Sequence, residues 1–293
     1  MFKKLKNKIE EKRNSKNFFW KILVLGKDLV WYITIIFIRY LKENKKIAWE
    51  TNKRRVEIEI TSFCNLSCIN CDRSIRQAPT NELMSVKQIE KFINESIDLK
   101  WNWKNIRILG GEPTLHPQLF EILKVLKKYK EFYPRSNIQI VTNGFGKKVN
   151  EILRKLPLWL NIENTAKKSS RQTFGSYNVA PIDLDKYKNS DFTRACNVTE
   201  ACGVGLTRYG YYICGAGASL DRVFGFDIGI KKLSLLEDSR LKKQRRILCE
   251  YCGHYKDKNM KKGRDWISEE KMSPSWIKAY RKYKKEKPKL SLY

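Results

Sequence analysis

Histidine is nearly missing from this chain: its 293 residues hold two, His116 and His254. No Ser/His/Asp or Cys/His constellation for nucleophilic catalysis can be read from it. His116 follows a glycine-rich segment and opens a helix, which suits a capping role. His254 stands two residues past Cys252 and reads as a neighbour of whatever that cysteine binds. Acidic residues are also few, 31 against 60 Lys plus Arg, for a formal charge of +29. Such an excess suits a polyanionic partner, whether nucleic acid, an anionic membrane surface or a phosphorylated substrate. Lys, Asn and Ile are abundant throughout, however, so compositional drift accounts for the charge equally well. A secretory signal is lacking: a long charged region precedes the apolar part, and no small-residue cleavage site follows it. Long hydrophobic runs are lacking too. Residues 18–41 are apolar, but Lys27 and Asp28 interrupt them, and the longest uncharged run, 29–38, is ten residues. A spanning helix needs about 17–25. There is no internal repeat. No cysteine stands between Cys71 and Cys196.

What is present divides the chain into four parts. Residues 1–52 are a basic arm followed by an apolar helix, with Lys21, Asp28 and Arg39 near one line of its surface. Trp20, Trp31, Tyr32 and flanking lysines suit a helix lying on a membrane surface; packing on protein is the other reading. Residues 53–190 alternate strand and helix. Val56-Glu57-Ile58-Glu59-Ile60 reads as a half-buried strand. Val86, Ile89, Phe92, Ile93 and Ile97 recur at helical spacing, as do Leu119, Phe120, Leu123, Leu126 and Tyr129 after Pro117. Further strands are expected over 106–109, 138–141 and 159–162, with a short helix over 149–156. This order predicts an α/β fold with a parallel sheet, whose ligands sit at the carboxyl ends of strands. Residues 191–256 are rich in glycine and cysteine. A hairpin is expected over 207–214, and two regular helices would not fit between Gly203 and Gly229. Residues 257–293 form a Lys-rich tail, read as one amphipathic helix and a loose end.

The eight cysteines fall into a group of three and a later group of five. Without a secretory signal they read as metal ligands in a reducing compartment rather than as disulfides. Cys64, Cys68 and Cys71, spaced C-x3-C-x2-C, directly follow the first strand. Structural zinc sites take four ligands. Three thiolates suit an iron–sulfur cluster with one iron left open, since such clusters otherwise take four. Gly110-Gly111-Glu112-Pro113 ends the second strand. The glycines there permit close backbone approach, and Glu112 supplies a carboxylate that could hold a cationic amino group.

In these two motifs and their order the sequence resembles the radical SAM superfamily. The resemblance implies a partial (β/α) TIM-like barrel. Its 4Fe–4S cluster on Cys64, Cys68 and Cys71 would reduce S-adenosylmethionine, giving a 5′-deoxyadenosyl radical that abstracts a substrate hydrogen. It implies cofactor contacts at Gly110, Gly111, Glu112 and Pro113, and at Thr142 and Asn143 after the third strand. Asn70 departs from the pattern, because an aromatic residue usually precedes the third cysteine. Cys196, Cys202, Cys214, Cys249 and Cys252 resemble the C-terminal regions called SPASM or twitch domains, which hold auxiliary clusters. A second 4Fe–4S cluster would take four of these five, with Cys196 and Cys202 competing for the last place; a zinc site on the same thiols is the competing reading. Arg73 reads either as a contact for an anionic substrate or as half of an ion pair, and the segment 164–168 as a wall of the substrate pocket. The expected partners are S-adenosylmethionine, an anionic substrate of the peptide, sugar or nucleotide-linked kind, and a flavodoxin- or ferredoxin-type reductant. The expected location is cytoplasmic, peripheral on the inner face of the membrane. A metal-stabilised nucleic-acid-binding or scaffold protein is the alternative, and it leaves the Gly-Gly-Glu-Pro loop beside the cysteines unexplained.

Overall fold

Branched apolar residues at every second position build a parallel sheet whose rows run across five strands. The computed structural model describes residues 29–42, 48–168, 175, 177–194, 196–255 and 271–293. The basic arm, the start of the apolar stretch and residues 256–270 lie outside the described residues. Strands β1 (Arg55–Thr61), β2 (Asn105–Gly110), β3 (Asn137–Thr142) and β4 (Asn161–Asn164) are joined through helices α1 (Val86–Asp98), α2 (Leu119–Phe132) and α3 (Lys147–Leu153). The sheet order is β4-β3-β2-β1-β5-β6, where β5 is Val204–Thr207 and β6 is Gly210–Tyr212. All neighbours are parallel except β5 and β6, which form the expected hairpin. One row reads Leu206, Ile58, Ile108, Ile140, Ile162. The next reads Gly205, Glu57, Arg107, Gln139, Asn161, on the opposite face.

The apolar row carries helices α1 and α2. Ser85 and Gln88 form a reciprocal capping box at the start of α1, which buries Ile89, Phe92 and Ile93. Helix α2 buries Leu119, Leu123, Leu126 and Tyr129 as expected, but Phe120 is 40% exposed; Ile122 and Val125 complete the buried face instead. Between the helices, the Tyr129 hydroxyl accepts from the Trp103 amide (2.7 Å) and donates to Trp101 O (2.9 Å). The Trp103 indole donates to Ser96 Oγ (3.0 Å). Each of these buried polar groups is satisfied within the core, where an orphan would cost about 1–3 kcal/mol.

Strand β1 departs from the half-buried expectation. Both of its faces are buried, because Glu57 and Glu59 turn inward and find partners in Arg73, Arg107 and Ser62. The fourth strand lies about two residues later than its apolar segment suggests, and it is the exposed edge of the sheet.

Beyond β4 the chain forms helices α4 (Val198–Ala201), α5 (Gly215–Phe224), α6 (Asp238–Leu248) and α7 (Pro274–Lys285). One helix, α5, occupies the glycine-dense stretch. Residues from Trp49 to Tyr293 form one compact unit, so the segment expected as a separate C-terminal domain extends the same sheet through β5. The tail does not end loosely. The Tyr293 amide donates to Arg208 O and its hydroxyl to Glu95 Oε2, each at 2.9–3.0 Å. The residues Met1–Ala48 form the other unit. Its described part is helical over 29–42, with Leu29, Trp31 and Phe37 exposed. No described helix is long and apolar enough to cross a membrane.

His116 has the capping role expected of it. Its Nδ1 accepts from the Gln118 amide (3.0 Å), so the ring is neutral and Nε2–H donates to Met84 O (3.1 Å). Burial pushes its pKa below the ordinary 6.5. Below about pH 6.5 the unfolded chain therefore binds a proton that the folded chain refuses, and stability falls as pH falls through that window. Urea midpoints measured across this range should show that slope, and His116→Gln should flatten it; an unchanged slope in the variant would overturn the assignment.

Candidate active site

Four loops leave the carboxyl ends of β1 to β4 and meet around one cavity of about 310 Å³. The loop after β1 brings Cys64, Cys68 and Cys71 to its wall. The loop after β2 brings Gly110 and Gly111, the loop after β3 Thr142 and Asn143, and the segment after β4 Thr165 and Lys167. Every strand end thus contributes, as parallel α/β sheets arrange their ligands.

The two glycines are required by the chain itself. A Cβ on Gly110, whose φ is +145°, would stand 2.2 Å from Thr61 O, and one on Gly111 would stand 2.1 Å from Phe63 O. The gap is closed by hydrogen bonds, Gly111 N to Thr61 O (2.7 Å) and Glu112 N to Phe63 O (2.8 Å). The glycines therefore press the second loop onto the start of the cysteine loop.

Glu112 is 0% exposed and does not line the cavity. Its Oε1 accepts from the Thr114 amide (3.2 Å), the Thr114 hydroxyl (2.7 Å) and the Thr142 hydroxyl (2.8 Å); its Oε2 accepts from the Asn143 amide (2.8 Å). The carboxylate ties the second loop to the third. Asn143 carries the tie onward, since its side-chain amide donates to Asn65 Oδ1 (2.9 Å) beside Cys64. Pro113 opens a short 3-10 turn behind the wall. Of the six residues expected to contact a cofactor, Gly110, Gly111, Thr142 and Asn143 face the cavity, and Glu112 and Pro113 brace them.

Burial raises the Cys64 thiol to about 11 and the Cys71 thiol to about 12. A metal bound here by thiolates would displace those protons. Lys167 Nζ lies 3.5 Å from Cys68 Sγ. Asn70 has φ +54° and is fully buried behind the loop. Asparagine tolerates this left-handed backbone better than an aromatic residue does, which gives the departure at this position a local cause.

The floor of the cavity is a row of ion pairs, of which the sequence pointed only to Arg73. Arg73 Nη2 bonds Glu57 Oε2 (2.9 Å), Arg107 Nη1 bonds Glu57 Oε1, and Arg107 Nη2 bonds Glu163 (2.9 Å). Arg73 is thus half of an ion pair. The available signal was Glu57, a charge inside an apolar strand, together with Arg107 at the same place in the next strand.

The later cysteines separate. Cys196, Cys214, Cys249 and Cys252 line one small cavity, among Leu220, Leu248 and Ile213. Burial raises Cys196 to about 11 and Cys214 to about 12, and it raises Cys249 and Cys252 well above the ordinary thiol range. Cys202 lines the large cavity instead. Val198, Ala216 and His254 line both cavities, and His254 Nε2 is 3.7 Å from Asp72 Oδ2. Among the described residues, no three His, Cys, Asp or Glu side chains converge on a single-ion site.

Residues 58–163 match the family model described as the Radical SAM superfamily. The probable GTP 3′,8-cyclase of Methanococcus maripaludis is 35% identical over 91 residues, 31% of this chain and 29% of that protein. The GTP 3′,8-cyclase of Aliarcobacter butzleri is 32% identical over 92 residues, 31% of this chain and 27% of that protein. The chain therefore spans less than a third of the length of these curated relatives. Among solved structures, BtrN in complex with AdoMet and 2-DOIA is similar with a TM-score of 0.43 at 15% identity, over 72% of this chain and 96% of that one. The family match and the curated relatives support an enzyme of the radical SAM class, and that class implies a 4Fe–4S cluster and S-adenosylmethionine. The donor set fits: three thiols at one cavity wall, with a glycine-lined strand end beside them.

The Glu112 tie can be tested directly. Glu112→Gln places an amide donor against donors, which should loosen the second and third loops. Binding of S-adenosylmethionine to the cluster-loaded protein should weaken about tenfold or more, the effect of ~1.4 kcal/mol. Equilibrium dialysis measures it, and unchanged affinity would show that the loops hold without the carboxylate.

Proposed function

We propose that this chain is a radical SAM enzyme acting on a polar, anionic substrate, with a 4Fe–4S cluster held by Cys64, Cys68 and Cys71 and an auxiliary 4Fe–4S cluster held by Cys196, Cys214, Cys249 and Cys252. The observation that carries it is the convergence of the three-cysteine loop, the glycine pair and Thr142-Asn143 on one cavity at adjacent strand ends. Bound there, the cluster would supply the electron that cleaves S-adenosylmethionine and so the radical that removes a substrate hydrogen. The chain's own part is positional. Gly110 and Gly111 leave backbone beside the cofactor, Asn143 and Asn65 hold the cysteine loop, and Lys167 adds a cation near the thiolates. The Arg73–Glu57–Arg107–Glu163 row closes the floor with polar groups, which suits a hydrophilic substrate. The likeness to GTP 3′,8-cyclases extends over 91 residues. It supports shared cofactor chemistry and leaves the substrate to the rest of the chain.

The auxiliary cluster rests on four thiols around one cavity. A single zinc ion draws its sulfurs to about 2.3 Å. A cluster of four irons spreads them more widely, and four thiols around one cavity match its ligand number. Anaerobic reconstitution should give about eight irons per chain. Reduction with dithionite in the presence of S-adenosylmethionine should release 5′-deoxyadenosine, and Cys64→Ala should abolish that release. Zinc bound in place of iron under those conditions would overturn the assignment.

The apolar helix over 29–42, with Trp31 66% exposed, is proposed to lie on a membrane surface, keeping the enzyme in the reducing compartment at the inner face. Removing residues 1–45 should shift the protein from the membrane fraction to the supernatant; identical fractionation would rule the anchor out.

A further inference from the structure

The fifth cysteine of the C-terminal group lines a different cavity from the other four, although Cys196 and Cys214 lie near enough to interact with it electrostatically. Cys202 follows helix α4 and lines the large cavity with Cys64, Cys68 and Cys71. The small cavity of the other four thiols does not include it. Around it stand the charged groups of the floor and one of the other thiols, with Glu57, Cys214, Arg107 and Arg73 acting on its sulfur. Arg73, only 9% exposed, lines the same cavity, and its Nη1 has no hydrogen-bond partner. A buried guanidinium donor left over in this way is one that an acceptor on a bound molecule would satisfy. This corner of the cavity therefore combines a fourth thiol with a donor lacking a partner.

Burial raises the Cys202 thiol to about 12, so the sulfur keeps its hydrogen at neutral pH. An S–H bond is weaker than an aliphatic C–H bond, so a carbon radical takes its hydrogen downhill. The O–H and N–H bonds of Thr165, Asn143 and Lys167 are too strong for that transfer, and no tyrosine stands among the described residues that line the cavity. With Cys64, Cys68 and Cys71 engaged as ligands, Cys202 is the remaining thiol of the lining.

Resting on the radical SAM reading above, we propose that Cys202 is a hydrogen-atom donor of the reaction cavity, returning hydrogen to carbon-centred radicals formed there. In that step the S–H bond breaks and a C–H bond forms, leaving a thiyl radical on Sγ. One electron from a low-potential reductant, of the flavodoxin or ferredoxin class or dithionite in the tube, and one proton from water then restore the thiol. The donated hydrogen therefore originates in solvent, because thiol hydrogens exchange with water and carbon-bound hydrogens do not.

The test needs no substrate. The full chain, loaded with its clusters, is reduced with dithionite in D₂O and given S-adenosylmethionine alone, and the 5′-deoxyadenosine is examined for deuterium at its methyl group. The wild type should give deuterated product, and the label should be lost from whatever product Cys202→Ala and Cys202→Ser form. Iron and sulfide should match the wild type in both variants and fall in Cys196→Ala, a readout independent of turnover that also reports folding. Undiminished label in the Cys202 variants, or unlabelled product from the wild type, overturns the donor. Iron lost in Cys202→Ser overturns it as well, by making Cys202 a cluster ligand. Absence of 5′-deoxyadenosine from the wild type is the separate failure of the radical SAM reading itself.

Discussion

The carboxylate of Glu112 is the constraint on which the site depends. It is completely buried, and it accepts four hydrogen bonds from three residues, Thr114, Thr142 and Asn143. Hydrogen bonds to a charged group are each worth about 1.5–3 kcal/mol net, and a buried charge without them would be untenable. The same residue's amide binds Phe63 O, one position before Cys64. One side chain and one amide thus fix three loops that are far apart in sequence. The cysteine loop has no regular secondary structure of its own, so its shape comes from these ties and from the two glycines that let the second loop lie against it.

The second constraint is the polar interior of the sheet. A parallel sheet is ordinarily apolar on both faces. Here the row on the cavity side reads Glu57, Arg107, Gln139, Asn161, and it is tolerable because its two charges are opposite in sign and neighbouring Arg73 and Glu163 pair with them. Glu57 bonds two guanidiniums, and Arg107 bonds two carboxylates. Removing Glu57 would leave the buried Arg73 and half-buried Arg107 without their shared counterion, a costlier change than the modest net worth of either pair. The row thus closes the floor of the cavity without filling it with apolar side chains.

The parallel α/β class and the placing of polar segments after strands were legible because period-two and period-3.6 patterns are local properties. Helix α1 is read from Ile89, Phe92 and Ile93, and its start from Ser85 and Gln88. The cysteine loop and the glycine pair were legible because their chemistry dictates residue type and spacing. What was hidden depends on contacts between distant positions. Glu57 reads as a solvent-facing residue of an alternating strand until Arg73 and Arg107 are placed against it. The pairing of β5 with β1, Val56 against Val204, joins residues with no local sign of each other and dissolves the boundary expected near residue 190. Cys196 and Cys202 were indistinguishable by spacing. Short helix α4 lies between them, and they line different cavities.

That separation is built by the start of one helix. Cys214 caps α5, its sulfur accepting from the Gly217 amide (3.3 Å), and it faces the small cavity. Gly215 comes next. A Cβ there would stand 2.4 Å from Arg73 Nη1 and 2.6 Å from Glu57 Oε2, so a bare backbone is what allows the floor of the large cavity to form. Ala216 then lines both cavities. Three consecutive residues cap the helix, admit the ion pairs and form the partition. A side chain at 215 would displace Arg73 and Glu57, and a larger one at 216 would intrude on both cavities together. The C-terminal segment therefore cannot act as an appendage to a finished barrel: its strand completes the sheet, and its helix start shapes the cavity floor.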